Sequence, residues 1–172
     1  MKIVGSSLVL CLWVSILMGQ SLSTRKGGHS FTLDVPSAMV RAFDINSSAT
    51  LQYEDTASGA FIMVIEDEKA ALAYYGVSFK NVSDYLNQFT HGYLTEVPER
   101  KISAIETFQN GAQDLAQCEM TYRSEDGSEA YAMLITCVET ATYFYKIIGW
   151  TPAPLTKTFM PVFKQAARTL KE

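Results

Sequence analysis

Hydrophobic and polar residues alternate over several short stretches of this chain, which is the pattern of half-buried β-strands. Residues 31–36, FTLDVP, are apolar at every second position, and Pro36 ends the run. Residues 49–67 predict a hairpin, in which an alternating strand leads through a TASG turn, with Gly59 free to take a left-handed conformation, into a strand buried on both faces. Residues 69–80 are compatible with a short helix or a loop.

Two other stretches have the three-to-four-residue spacing of amphipathic helices. The first covers residues 81–98, where Asn81 or Ser83 can serve as the N-cap. The second has an apolar stripe made of Phe159, Val162, Phe163, Ala166, Ala167 and Leu170. Because proline is tolerated only in the first turn of a helix, Pro161 predicts that this helix begins near Thr158.

Antiparallel strands are predicted between the two helices, with turns at Asn110-Gly111 and at residues 124–128, SEDGS. The second turn admits two registers. One places Cys118 opposite Cys137, and the other places it opposite Ile135. In both registers the cysteines share one sheet face with Met120, Tyr122, Tyr131, Met133 and Ile135. We expect this face to be the core.

The predicted order of strands, helix, antiparallel strands and helix indicates the α+β class, with a central antiparallel β-sheet flanked by helices. The length of 172 residues is enough for one domain and short for two. Since 48% of the residues are hydrophobic and 19% are charged, the composition excludes a disordered chain. A net charge of −4 lacks the basic excess of nucleic-acid-binding proteins, so we expect no nucleic-acid partner.

The first residues have the layout of a secretory signal peptide, which we assign to residues 1–23. Lys2 is followed by the apolar run LVLCLWVSILM and by the small residues Gly19, Ser21 and Ser23, which suit cleavage. The run is shorter than the roughly 20 residues that a membrane-spanning helix needs, which favours cleavage over an uncleaved anchor. We therefore expect an exported protein, periplasmic or extracellular, without an integral membrane span.

Polar and glycine-rich residues 24–30, TRKGGHS, predict a short exposed linker before a single domain over residues 31–172. Cys11 raises the alternative of a lipid anchor. It lies inside the apolar run, however, with no small residue just before it, which disfavours that alternative.

Few residues are candidates for chemistry. Neither His29 nor His91 accompanies a triad motif. Cys118 and Cys137 lie mid-strand among apolar residues, a setting that favours buried free thiols, although a cross-strand disulfide stays open. The acidic residues 66–68 lack the alternating ligand spacing of a calcium loop. We therefore predict no catalytic site, no metal and no cofactor.

A line of basic residues runs along the predicted C-terminal helix. Lys157, Lys164, Arg168 and Lys171 fall nearly in a row, because seven residues make almost two helical turns. This row is either the solvated side of an amphipathic helix or a surface for an acidic partner. Trp150, where the last strand ends, is the other possible ligand or partner contact.

The last part of the chain carries a strand-loop-helix pattern. The strand reads Tyr145-Lys146-Ile147-Ile148-Gly149-Trp150, and the helix has Pro161 and Phe163 near its start. This pattern resembles domains of the PsbP-like/Mog1-like fold, and the opening FTLDVPSAM is similar to their first strand. The resemblance implies an α/β/α sandwich. It covers photosystem II extrinsic subunits, a nuclear Ran-binding protein and exported bacterial proteins of unknown role, and the exported bacterial branch fits the signal peptide.

The sequence thus favours an exported, non-enzymatic protein that binds another protein or a component of the cell envelope. One alternative is a small-ligand-binding module with an apolar pocket between sheet and helices, although core packing explains the same aromatic and methionine residues. A second alternative is an enzyme whose site no motif reveals.

Overall fold

The structure is a computed structural model that describes residues 21–29 and 31–172. Most of the predicted signal peptide, residues 1–20, lies outside the described residues. The elements are β1 (Leu22–Gly27), β2 (Phe31–Pro36), β3 (Val40–Arg41), β4 (Leu51–Asp55), β5 (Ala60–Glu68), α1 (Lys69–Tyr74), α2 (Val82–Gly92), β6 (Lys101–Ile102), β7 (Glu106–Asn110), β8 (Gln113–Arg123), β9 (Ala130–Glu139), β10 (Tyr143–Pro152) and α3 (Thr156–Ala167). A 3-10 turn, Ala153–Leu155, joins β10 to α3.

An antiparallel sheet of eight strands forms the centre of the molecule. Its order is β3-β4-β5-β10-β9-β8-β6, with β7 also paired to β8. The chain therefore reaches the middle of the sheet last, because β10 inserts between β5 and β9. The α+β class and the antiparallel sheet predicted from the order of elements are confirmed.

Both faces of the sheet are buried, and each carries its own core. On the first face, Leu134, Tyr145 and Ile147 pack under α3 and the β1–β2 hairpin. On the second face, Met133 and Ile135 pack under α2, together with a partly buried Leu72 from α1. The face that carries the two cysteines is a core, as predicted. Helices thus lie on both sides of one sheet, as in the expected sandwich.

The predicted linker over residues 24–30 was wrong for its first half, because Thr24 to Gly27 belong to β1. This strand pairs along its length with β2, from Leu22 opposite Pro36 to Gly27 opposite Phe31. The residues of β1 that point towards the core are polar or small. The strand therefore lacks the apolar alternation from which it could have been predicted. The guanidinium of Arg25 lies 5.6 Å from the centre of the Tyr53 ring. This cation–π contact covers the core at a position where most strands place an apolar side chain.

The β1–β2 hairpin is also bonded to the segment that follows α3. Thr32 and Lys171 exchange two backbone hydrogen bonds of 2.7 and 3.0 Å. The backbone N–H of Asp34 donates to the hydroxyl of Thr169 at 2.8 Å. The first and last described parts of the chain thus close the same core.

The helices differ from their predicted bounds at their ends. Helix α3 begins at Thr156, earlier than predicted, and Pro161 lies inside it. The proline is tolerated there because Lys157, whose carbonyl loses its partner N–H, is exposed to solvent. Helix α2 has Asn81 as its N-cap, as expected, with its side chain accepting the N–H of Asp84 at 2.9 Å, but it already ends at Gly92.

The β8–β9 hairpin adopts the second of the two predicted registers, with Cys118 opposite Ile135. Gly127 takes the left-handed conformation that this turn needs, with φ of 72°. Cys118 and Cys137 are both buried and both free, so the thiol alternative is the one that the structure shows.

Candidate functional site

Exposed aromatic side chains are concentrated at the end of α1. Tyr74 and Tyr75 expose 84% and 78% of their surface, and Val77 exposes 40%. The two tyrosine rings contact each other edge to face, with centroids 5.2 Å apart. Helix α1 has no buried residue, so it presents these side chains to solvent instead of using them for the core. We call Tyr74, Tyr75 and Val77 the α1 surface.

A glycine turn holds the α1 surface in a defined backbone. Gly76 has φ of 71°, a conformation that side chains disfavour. The N–H of Tyr75 donates to the carbonyl of Ala71, and the N–H of Val77 donates to the carbonyl of Leu72. These bonds end the helix and turn the chain back towards the sheet, so the exposed rings sit on an ordered element.

A small cavity lies beside the α1 surface, between α1, the following loop and the sheet. Its volume is about 180 Å³. It is lined by Lys69, Leu72, Ala73, Val77, Ser78, Phe79, Glu139 and Phe144. Apolar groups predominate, and Val77 belongs both to the lining and to the exposed surface.

The only charged groups in that lining form an ion pair. Lys69 Nζ lies 2.8 Å from Glu139 Oε1, donates to the carbonyl of Thr140 at 2.6 Å, and lies 4.6 Å from the centre of the Phe144 ring. Both side chains of the pair are about three-quarters buried. The cavity therefore has a neutralised polar edge and an apolar interior.

A second polar network holds α2 against the sheet. Asp67 Oδ2 accepts the hydroxyl of Tyr85 at 2.5 Å and lies 2.7 Å from Lys146 Nζ. The ammonium group of Lys146 also lies over the rings of Tyr85 and Phe89, at 5.1 and 5.2 Å. Burial, and then the hydrogen bond to Asp67, raise the pKa of Tyr85 well above its usual value. The network keeps the phenol protonated and the carboxylate paired, which is a structural arrangement.

The thiols are in an environment that suppresses nucleophilic chemistry. Burial raises the pKa of Cys118 to about 11 and raises the pKa of Cys137 further. A thiol attacks as its thiolate, so neither group is activated. Within residues 21–29 and 31–172 there is no cluster of three His, Cys, Asp or Glu side chains that could hold a metal ion.

The histidines are placed apart from the thiols. His29 is exposed at the tip of the β1–β2 hairpin, with Nδ1 3.4 Å from Glu66 Oε1, on the sheet face opposite the cysteines. His91 is exposed near the end of α2. The structure brings neither histidine into a nucleophile–base arrangement.

Trp150 takes part in an aromatic row that crosses four neighbouring strands. Its ring stacks on Phe61 at 4.9 Å and lies 4.5 Å from the ring of Tyr131. Its Nε1 donates to the hydroxyl of Tyr122 at 2.6 Å. Each ring face of Trp150 is thus covered by a neighbour. The predicted ligand contact at Trp150 remains a prediction, and its stacking explains the residue without a ligand.

The four predicted basic contacts do not form one helical row. Lys157 and Lys164 lie on α3, Arg168 caps its C-terminus, and Lys171 lies beyond the helix. Lys164 pairs with Glu119 at 2.6 Å. Lys171 lies beside an open cleft of about 590 Å³, between the β7–β8 turn, the β9–β10 turn and the C-terminal segment, which Arg168 also lines. A role for these residues in binding a partner stays a prediction.

The α1 surface was missed by the sequence reasoning, which left residues 69–80 open as a short helix or a loop. Adjacent residues of a helix point about 100° apart, so burying both Tyr74 and Tyr75 would need a wide contact surface, as α3 has for Val162 and Phe163. The following Gly76 confines the helix to a few residues and leaves no later turn to cover the rings. A tyrosine pair before a helix-ending glycine is compatible with exposure, and the structure shows that exposure.

Comparisons with known proteins find similarity in structure. No protein-family model matches the chain, and no curated protein matches it. LpqN of Mycobacterium tuberculosis, described as involved in cell envelope biogenesis, is similar over 88% of this chain and 90% of its own, with a TM-score of 0.59 and 13% identity. The cyanobacterial PsbP protein (CyanoP) of a Synechocystis species is similar over 95% and 98%, with a TM-score of 0.54 and 12% identity.

A third similar structure is a protein of unknown function from Pseudomonas aeruginosa, described as a putative regulator. It matches over 88% of this chain and 96% of its own, with a TM-score of 0.51 and 13% identity. At such identities these likenesses show the fold, and the chain has the PsbP-like fold that its last strand and helix indicated. Within the part of the chain that the structure describes, no helix has the length and apolarity needed to cross a membrane.

Proposed function

We propose that this protein is an exported, non-enzymatic accessory protein of the cell envelope that binds another protein through the α1 surface. The observation that carries the proposal is the exposure of Tyr74 and Tyr75 on an ordered helix. Aromatic residues are enriched where proteins bind one another, because they bury a large area at a low entropic cost. Helix α1 packs against the core only through the partly buried Leu72, so its two tyrosines are free to serve this purpose.

Two observations support a place in the envelope. The apolar run before Gly19 has the layout of an export signal. The similarity in fold to LpqN, which is described as involved in cell envelope biogenesis, extends over nearly the whole of both chains. Export and envelope function are proposals for this chain, and the two observations agree with each other.

At the α1 surface, the cavity next to Val77 favours a protein partner over a small ligand. Its volume of about 180 Å³ lies below the roughly 300–1,000 Å³ of typical ligand pockets. One apolar side chain of a partner would fill it, while the partner's surface covers Tyr74 and Tyr75. The raised pKa values of the thiols likewise give no support to the enzyme alternative.

The test compares the capture of envelope proteins by three forms of the purified protein. The double variant Tyr74→Ser, Tyr75→Ser removes the exposed rings from a helix without buried residues, so the fold is expected to persist. Phe43→Ser is the matched control, because Phe43 is also aromatic and 76% exposed but lies elsewhere in the chain. Capture is followed by quantitative mass spectrometry.

We expect a partner that the wild type and Phe43→Ser recover equally and that the double variant binds at least about 30-fold more weakly, the loss typical of an aromatic hot spot. A partner bound equally well by the double variant would place the binding surface elsewhere. Repeated recovery of no partner by the wild type would contradict the proposal as a whole.

A further inference from the structure

Strand β7 (Glu106–Asn110) lies at an edge of the eight-stranded sheet. It pairs with β8 on one side, and no described strand pairs with its other side. The tight turn makes Asn110 and Gln113 the closing hydrogen-bonded pair of the β7–β8 hairpin. Backbone bonding to β8 then falls on alternate residues, so the N–H and C=O groups of Thr107 and Gln109 point away from the sheet.

This edge has few of the devices that normally prevent strand pairing. Sheet edges are usually protected by short length, charged side chains, proline, a bulge or a covering loop. Strand β7 contains neither proline nor lysine, and four of its five residues are exposed. Its single charged residue is Glu106, which has no ion-pair partner among the described residues. The edge is therefore open to another strand.

We propose that two copies of this chain associate by antiparallel pairing of β7 with β7 of the second copy, around a two-fold axis at Phe108. In this register Thr107 of one copy lies opposite Gln109 of the other. The outward backbone groups of these two residues form a hydrogen-bonded pair, and the symmetry repeats it, which gives four new bonds. The two sheets become one continuous sheet.

Charge complementarity selects a second copy of the chain as the occupant. Glu106, Phe108 and Asn110 share one sheet face, since side chains alternate along a strand. The axis at Phe108 places Glu106 of one copy opposite Asn110 of the other. Asn110 Nδ2 donates to the carbonyl of Arg168 at 2.5 Å, so Glu106 also arrives close to Arg168.

The guanidinium of Arg168 already lies beside β7. Its guanidinium lies 4.9 Å from the centre of the Phe108 ring, and it has no carboxylate partner among the described residues. The two-fold axis therefore joins two unpaired charges of opposite sign, Glu106 and Arg168, on each side. A register shifted by two residues would place Glu106 opposite Phe108 and lose this match.

The first test measures the mass of the protein, purified from a host that expresses the full chain, by analytical ultracentrifugation over a series of concentrations. Thr107→Pro removes an outward N–H that the β7–β8 ladder does not use, so the monomer should keep its fold. Thr107→Val keeps the N–H and is the control. We expect a dimer for the wild type and Thr107→Val, and a dissociation constant raised about tenfold or more by Thr107→Pro.

The second test is a charge exchange. Glu106→Arg and Arg168→Glu should each weaken the dimer, and the double variant should restore it, because only the proposed register brings the two positions together. Circular dichroism melting confirms that each variant folds. A wild type that stays monomeric up to about 1 mM overturns the proposal. A dimer that is insensitive to Thr107→Pro, or that the double variant fails to restore, overturns it as well.

Discussion

Gly149 in β10 lies directly beneath the ring of Phe163 in α3. A Cβ atom at position 149 would come within 2.4 Å of Phe163 Cγ, a distance that real atoms do not reach. Both residues belong to the strand-loop-helix pattern that resembles PsbP-like domains. The pattern therefore reflects packing. Gly149 has no side chain, so the ring of Phe163 from α3 can pack directly against the backbone of β10.

Replacement of Gly149 by alanine should destabilise the fold by about 1–3 kcal/mol, the usual cost of an extra methyl group in a well-packed core. Urea denaturation measures the change. Gly92→Ala is the matched control, because nothing lies within 4 Å of that added Cβ, and it should be neutral or stabilising by up to about 1 kcal/mol. Equal effects of the two substitutions would show that the Phe163 contact is not tight.

Cys118 and Cys137 should not react with thiol reagents in the folded protein. With its pKa raised to about 11, Cys118 is ionised to about one part in a thousand near pH 8, and Cys137 is ionised less. Labelling with iodoacetamide followed by peptide mass spectrometry should find both peptides unmodified, and both fully modified after denaturation. Rapid labelling of the native protein, or a Cys118–Cys137 disulfide, would contradict the structure.

Stability should fall at alkaline pH, partly because of Tyr85. Its pKa is raised in the folded protein, so above about pH 10 the unfolded chain loses this proton while the folded chain keeps it. Ionisation then favours unfolding, and the free energy of unfolding decreases as pH rises.

Tyr85→Phe should cost about 1 kcal/mol at neutral pH through loss of the bond to Asp67. It should also make the alkaline slope shallower, by up to about 1.4 kcal/mol per pH unit. Urea midpoints measured from about pH 8 to pH 11 give both quantities. An unchanged alkaline slope in Tyr85→Phe would refute the assignment.

On the proposed export, the cleaved protein should begin at Leu22, not at Thr24. Cleavage after Ser23 would remove the start of β1, where Leu22 pairs with Pro36. Cleavage after Ser21 fits Gly19 and Ser21 as the small residues of the cleavage rule and leaves β1 whole. N-terminal sequencing of the exported protein decides between the two, and a protein that starts at Thr24 would show that β1 can be shortened.

Sequence patterns predicted the elements whose own residues carry the burial signal. The stripe of α3 and the apolar strand β5 are visible because nearly every inward position is hydrophobic. Strand β1 was missed because Arg25 covers the core through its guanidinium and not through an apolar side chain. Periodicity cannot detect a strand of this kind.

The candidate site was not predictable in the same way. The sequence pattern of an alanine-rich segment such as α1 is the same whether the segment is buried or exposed. The exposure of Tyr74 follows from where the β5–β10 pairing places the helix, and that pairing joins segments about 80 residues apart, as the Asp67–Lys146 contact shows with a separation of 79. Local sequence contains no information on such distant pairing.

The bonds between the β1–β2 hairpin and the segment after α3 set an order of events during biogenesis. The Asp34–Thr169 bond joins residues 135 apart in sequence, so the β1–β2 hairpin completes its contacts only after nearly all of the described chain has been synthesised. These contacts can therefore form only after a ribosome or a translocation channel has released the segment that follows α3.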